Sequence, residues 1–218
     1  MSTTHHPLDE TLLEYFSGTL DEGRRIVVAA HLEMCASCRR VLSGLATAGG
    51  DYLDALPPAP LAEGALETVL TRLQSPATEN ADTANTVRPA STHDLPIRLR
   101  ALERYELGKW RWIGPGVYWR SVAVPDAAKA RVFLLKAAPG TKLPEHAHEG
   151  TELTVILKGA FRHQGGVYKA GDCDDADETV EHSPVVEPGE ECICLVAMQG
   201  NIRLRSFIGR LIQPLVRL

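Results

Sequence analysis

The sequence predicts an α+β chain of two unlike domains: a helical N-terminal domain over residues 1–75 and an all-β barrel over residues 97–218, joined by a linker over residues 76–96. Three observations carry this reading. Before residue 75 the apolar residues recur at helical spacing. The stretch "SPATENADTANTVRPASTHDLP" is polar, contains proline and has no period, which is the chemistry of a linker. Beyond it, short segments rich in β-branched and aromatic residues are separated by Gly, Pro and Asp, as in a sandwich or barrel. No internal repeat is visible.

The elements follow in order. Residues 8–17 read as a short helix with Leu12, Leu13 and Phe16 on one side, and Gly18 suits its C-terminal end. Thr19 and Glu22 have the spacing of a capping box for a second helix, which runs through Ile26, Val27, Ala30 and His31. A third starts near Cys38 and places Val41, Leu42, Leu45, Leu53 and Leu56 at helical spacing. Gly49-Gly50 is a point of interruption, and "PPAP" stops the helix. "LAEGALETVLTRL" gives a fourth, with Leu66, Val69, Leu70 and Leu73 on one face. Strands are read in "GVYWRSVAV", "ARVFLLKAA", "ELTVILKGAFRHQ", "VYKAGD", "ECICLVAM" and "RLRSFIG", with Trp110, Trp112 and Trp119 covering the barrel.

Composition narrows the function. The 218 residues are 44% hydrophobic and 23% charged, enough for two small domains or one large one. A formal net charge of −5 does not suggest a nucleic-acid binder. The balance is uneven: residues 1–75 hold five basic and ten acidic side chains, and the rest hold 18 of each. An acidic first domain points to a basic partner surface, or simply to solubility. "MSTTHHPLDE" has no apolar core of a signal peptide, and "IVVAAHL" is far too short to span a bilayer, so a cytoplasmic location is expected. In that compartment a C-x2-C among five cysteines favours metal binding or redox chemistry over structural disulfides.

Two clusters of metal-ligand side chains stand out. "AAHLEMCASC" carries His31, Cys35 and Cys38 as H-x3-C-x2-C. His31 and Cys35 lie i, i+4 across the end of the second helix and can face one ion, and the C-x2-C turn points both sulfurs the same way. Zinc prefers tetrahedral nitrogen and thiolate ligands, and a structural site closes all four positions. His6 or His5 supplies the fourth if the first helix packs on the next two. Such an ion would pin short helices that bury little core alone. The competing reading is two buried free thiols beside a solvent-facing histidine. The second cluster lies in "GTKLPEHAHEGTELTVILKG", from Gly140 to Gly159, spaced G-x5-H-x-H-x3-E-x6-G. His146 and His148 alternate on a strand and share a face, and Glu152 projects from the next strand into the same barrel. Two imidazoles and a carboxylate suit zinc, iron, manganese or nickel and leave positions open. Cys192 and Cys194 share one face of a strand, as small core side chains or as a redox or ligand-sensing pair. His163 ends a strand and is expected to be exposed, and Cys173 is placed in a turn without a role.

The "HH" near the start, followed by "HLEMCASCRR", resembles the zinc-containing anti-sigma domain over roughly residues 5–75. That family binds ECF-type sigma factors of bacterial RNA polymerase and holds them inactive. The resemblance implies zinc on His6, His31, Cys35 and Cys38. The segment Gly140–Gly159 matches the first cupin motif at every fixed position, and "AGDCDDADETVEH" resembles the second, with Gly171-Asp172 at the turn. The family's proline is Ala170 here and its final asparagine is absent. His182 is then the fourth ligand beside His146, His148 and Glu152. The whole arrangement resembles the ChrR-type anti-sigma factors. It implies one sigma factor bound 1:1, Zn2+ in the first domain, and a second divalent metal in the cupin: zinc, with iron, manganese or nickel as alternatives. It also implies no direct contact with nucleic acid or membrane, no catalysis, and release of the sigma factor under singlet oxygen or related oxidative stress.

Two rival functions remain at this point. A metal-dependent cupin enzyme, a dioxygenase or isomerase with an accessory zinc module, would use the same two histidines and carboxylate. Against it, the helical module has no part in such chemistry and no separate acid–base or nucleophile constellation is evident. A DNA-binding zinc-finger regulator would need a basic recognition helix, which the acidic first half lacks. Each domain is expected to have its own core, with inhibition in the first and sensing in the second.

Overall fold

In a computed structural model the described residues are 3–74, 94–124, 130–200 and 202–204, with His148 and residues 202–204 described in their backbone only. Most of the expected linker, and the part of "RLRSFIG" beyond Leu204, lie outside the described residues. The order is helices first and strands second, as expected for an N-terminal helical domain followed by an all-β cupin barrel.

Helix α1 (Asp9–Ser17) ends on Gly18, whose positive φ of 76° lets its N–H turn back to the Tyr15 carbonyl. Helix α2 (Glu22–Met34) is capped by Asp21, not by the expected Thr19–Glu22 box. The Asp21 carboxylate accepts from the N–H groups of Gly23 and Arg24 at 3.1 and 3.2 Å. Thr19 instead turns its hydroxyl back to the Glu14 carbonyl. Helix α3 (Ala36–Asp54) begins earlier than expected because the Cys35 sulfur accepts from Cys38 N–H and caps it. It runs unbroken through Gly49-Gly50, at a cost of about 1 kcal/mol per glycine relative to alanine. Helix α4 (Ala65–Gln74) completes the set.

The barrel comprises β1 (Glu106–Leu107), β2 (Arg111–Gly114), β3 (Val117–Ala123), β4 (Arg131–Ala137), β5 (His146–His148), β6 (Glu152–Lys158), β7 (Ala160–His163), β8 (Gly166–Lys169), β9 (Cys173–Ala176), β10 (Glu181–His182), β11 (Val185–Val186), β12 (Cys192–Met198) and β13 (Ile202–Leu204). The largest sheet has the order β1-β3-β4-β12-β6-β9, with β2 also on β3; the others are β10-β5-β13 and β11-β7-β8. Gly159 divides "ELTVILKGAFRHQ" into β6 and β7. Its φ is 71°, and a Cβ there would stand 2.4 Å from the Glu191 carbonyl oxygen.

Both faces of the large sheet are covered. Along β12, Ile193, Leu195 and Ala197 join a core shared with α1 and α2, while Cys192, Cys194, Val196 and Met198 face the barrel interior. Ile26, Val27 and Ala30 of α2 are in that shared core with Leu134, Leu153 and Val155. Gly23 sits so close to the sheet that an added Cβ would be 2.8 Å from Ala130 Cβ. Separate cores were expected; the structure has one core running from the helices into the sheet. The last residues of the expected linker also belong to the barrel. Asp94 accepts from Arg120 and from Trp110 Nε1, each at 2.9 Å, and Leu95 is buried.

Candidate metal centres

The end of α2 and the start of α3 bring His31, Cys35 and Cys38 together, and the segment before α1 adds His6. One ligand atom from each lies within 4.8 Å of all the others. The His6 Nδ1 is 3.4 Å from both sulfurs, and His31 Nε2 is 3.3 Å from Cys38 Sγ. His31, Cys35 and Cys38 are buried; His6 closes the cluster from the exposed side. His5 is elsewhere: it stacks on Tyr168 with ring centroids 4.2 Å apart.

The barrel takes part in this cluster. His31 Nδ1 donates to the Gly171 carbonyl at 2.9 Å, which leaves Nε2 bare toward the sulfurs. Burial holds the His31 imidazole down at about 4, opposed only in part by that hydrogen bond, so the ring is neutral near pH 7. Burial also pushes the Cys38 thiol up to about 12, so its ionisation needs a compensating cation. For Cys35, burial acts upward, but hydrogen bonds from Thr3 and Cys38 outweigh it and bring the thiol below its ordinary value. Two nitrogens and two sulfurs in a buried, closed set fit a four-coordinate structural zinc.

Asp172 fastens the segment that carries His6. Its buried carboxylate accepts from Thr4 N–H at 2.6 Å, Thr4 Oγ1 at 3.1 Å, His5 N–H at 3.2 Å and Lys169 N–H at 2.9 Å. Burial acts upward on this carboxyl, but these hydrogen bonds outweigh it and hold the group below the usual carboxylate range. Gly171, at φ 96°, has no room for a side chain: a Cβ would be 2.8 Å from Thr3 Cγ2. The sequence placed Gly171-Asp172 at a motif turn; the contact with residues 3–5 was not legible there.

The second cluster lies inside the barrel. His146 on β5 and His182 on β10 are paired in register, and their Nε2 atoms are 3.1 Å apart. The His146 Nδ1 donates to the Pro144 carbonyl at 2.7 Å, so the bare nitrogen is the one facing His182. Glu152, at the start of β6, completes a set whose ligand atoms lie within 4.8 Å of one another. The backbone of His148 is on β5 beside them, and its side chain lies outside the described residues. Two imidazoles and a carboxylate fit a divalent ion with positions to spare. The cluster opens into a cavity of about 600 Å³ whose wall is mostly apolar and includes Cys192 and Cys194, sulfur to sulfur 3.5 Å.

Two expectations are corrected behind His182. His163 is not exposed: its side chain is 4% accessible and its Nε2 lies 3.0 Å from Asp174 Oδ2. Phe161 and Tyr168, stacked on its ring, exclude water. Cys173 is not in a turn but in β9, where it is buried in the shared core. The rings of His5, Tyr168, His163, His182 and His146 follow one another at centroid separations of 4.2, 4.8, 5.0 and 4.7 Å.

A helical zinc-finger module on a cupin-like barrel defines a class of two-part regulator, and known proteins agree with that assignment. Residues 9–39 match a zinc-finger family, and residues 100–201 match the ChrR cupin-like domain family. The anti-sigma-E factor ChrR of Cereibacter sphaeroides is 38% identical over 222 aligned residues, covering 100% of both chains. A crystal structure of Rhodobacter sphaeroides SigE in complex with the anti-sigma ChrR matches with a TM-score of 0.70 and 34% identity, over 91% of this chain and 100% of that one. An RmlC-like cupin protein from Ralstonia eutropha matches at 19% identity and a TM-score of 0.41, over 48% of this chain and 69% of its own. The chain belongs to the ChrR family of anti-sigma factors.

Proposed function

We propose that this chain holds an ECF-type sigma factor inactive in a 1:1 complex, through faces of α3 and α4 that stand exposed among the described residues. The exposed faces carry the reading. On α4, Leu66, Val69, Leu70 and Leu73 are all exposed, and on α3 so are Val41, Tyr52 and Leu53. Contiguous apolar surface on a folded chain marks a protein contact. The excess of acidic groups in residues 1–75 suits the basic surfaces that a sigma factor turns toward DNA and polymerase. The family and the matching ChrR complex support the same partner.

His6, His31, Cys35 and Cys38 would hold a structural zinc that fixes α2 and α3 relative to the first helix. His146, Glu152 and His182, with His148, would hold a second divalent ion in the barrel: zinc, iron, manganese or nickel. The bound ion would supply a cross-link at the first site and a ligand-accepting positive centre at the second. The barrel receives the signal, of singlet-oxygen or related oxidative type, and the chain works in the cytoplasm; no helix among the described residues is long and apolar enough to cross a membrane. Catalysis has no part in this reading.

The test is direct. Purified ECF-type sigma factors are each mixed with this chain and sized by light scattering, and one of them gives a 1:1 complex that no longer supports transcription in vitro. Leu70→Glu weakens that complex at least about thirtyfold, as expected for a buried hot spot worth roughly 2 kcal/mol or more. Equal binding by Leu70→Glu would remove the α4 face from the interface.

A further inference from the structure

We infer that the barrel cavity binds an apolar monocarboxylate of fatty-acid type, with its head group at the His146–Glu152–His182 end and its chain along the apolar wall. The inference rests on the second metal ion proposed above. The cavity measures about 600 Å³, in the middle of the range of roughly 300–1,000 Å³ that encloses a small ligand. Phe133, Leu135, Val117, Phe161, Val186 and Val196 form its wall. His146, Glu152, Thr154 and His182 gather on one part of the lining, and exposed Lys142 and Pro144 border the cavity on the solvent side. Water is a poor filling for such a wall, because an ordered water molecule needs several polar partners.

Charge selects the head group. A divalent ion on neutral imidazoles and the single Glu152 carboxylate has one positive charge left over. Leaving that charge in an apolar enclosure is costly unless an opposite charge meets it. Cys194 does not supply one: its hydrogen bond with Cys192 and its burial hold it well above the ordinary thiol value. Asp174 lies behind His182, is taken up by His163 and does not line the cavity. One monoanionic head satisfies the balance, and an apolar body satisfies the wall.

The experiment uses the full chain with its metal content measured first. Decanoate, octanoate, acetate and decanol are then titrated by calorimetry. Decanoate is expected to bind 1:1. Octanoate binds about fifteenfold more weakly, from about 0.8 kcal/mol for each of the missing buried methylenes. Decanol, with the same body and no charge, is at least tenfold weaker than decanoate, and acetate does not bind measurably. Stripping the barrel ion with a chelator brings decanoate down to the level of decanol. Ala137→Phe, which fills the cavity away from the metal cluster, abolishes decanoate binding with the metal content unchanged. Equal binding of decanol and decanoate by the two-metal protein would overturn the head-group assignment, and no binding by either would overturn the site. A content of one metal per chain before any ligand is added overturns the second-metal reading itself, and this inference with it.

Discussion

Asp172→Ala should loosen the helical metal cluster from a position on the barrel. The substitution removes the acceptor for Thr4 N–H, Thr4 Oγ1, His5 N–H and Lys169 N–H at once. Hydrogen bonds to a charged group contribute about 1.5–3 kcal/mol each when buried. Thr4 is exposed, so its donors recover most of their loss from water, while the buried side of the clamp does not. The fastening of residues 3–6 should weaken by about 2 kcal/mol, equivalent to roughly thirtyfold in the closed population of that segment. His6 is the proposed ligand on that segment, so a zinc held there should open about thirtyfold more often. The assay is alkylation of Cys35 and Cys38, read by mass spectrometry of the peptide, because thiolates become reactive only as the ion leaves. Asp172→Asn keeps one acceptor oxygen and should fall between the wild type and Asp172→Ala. The carboxyl is held below its ordinary value, so its contribution is complete above the unfolded value near 4 and is lost as pH falls through the lower folded value. Acid should therefore raise alkylation less in Asp172→Ala than in the wild type. Alkylation of Asp172→Ala at the wild-type rate would refute the clamp. So would a loss confined to the melting of the barrel, since Asp172 would then only hold the turn between β8 and β9.

Further expectations concern each part of the molecule. Cys35→Ser should lose one zinc and the sigma complex together, measured by metal analysis and sizing; full helicity and full binding would count against a structural ion. The double substitution His146→Ala, His148→Ala should lower metal content from about two ions to about one while α1–α3 remain folded by circular dichroism, since each site needs its own ligand set. Asp94→Ala leaves the buried Arg120 guanidinium with the Gly108 carbonyl and the Trp110 ring face but no carboxylate, and should lower barrel stability by about 1–3 kcal/mol in a denaturant melt. A fragment of residues 94–218 uncovers Leu134, Leu153, Val155 and Leu195, each fully buried in the whole chain; it should bind a hydrophobic dye and aggregate, and a monomeric fragment that binds no dye would contradict the shared core.

Much of this was legible from local pattern. H-x3-C-x2-C at a helix end forces His31, Cys35 and Cys38 together, and H-x-H on a strand fixes the position of His146. Residue pattern left His5 and His6 open and the family resemblance chose His6; in the fold His5 stacks on Tyr168, and Asp172 accepts from the His5 N–H. The depth of His163 was missed because a strand end carries no signal of what stacks over it. The shared core, however, had left a trace. The run "CICLVAM" is apolar at consecutive positions and "LTVIL" at all but Thr154, whereas a strand with one wet face alternates. Such runs require cover on both faces, and a barrel interior supplies only one. The second cover had to come from elsewhere in the chain, and α2 was the available amphipathic element.

Strand β9 ties the two clusters to each other. Its residues alternate between the sides of the sheet, as any strand's do. Asp174 points into the barrel and pairs with His163 behind His182. Asp175 points the other way, accepting from Leu8 N–H at 3.1 Å and Thr11 Oγ1 at 2.7 Å, where it also faces the positive N-terminus of α1. Asp172, just ahead of the strand, clamps residues 4 and 5, and Gly171 holds His31. One short strand and its leading turn therefore touch the surroundings of both candidate metal clusters. That contact is made by residues 4, 8, 11, 31, 171, 172 and 175, so the length of the polar linker is no measure of independence. Free energies of substitutions at His182 and at Asp172 should not add, because they act on opposite sides of the same few residues.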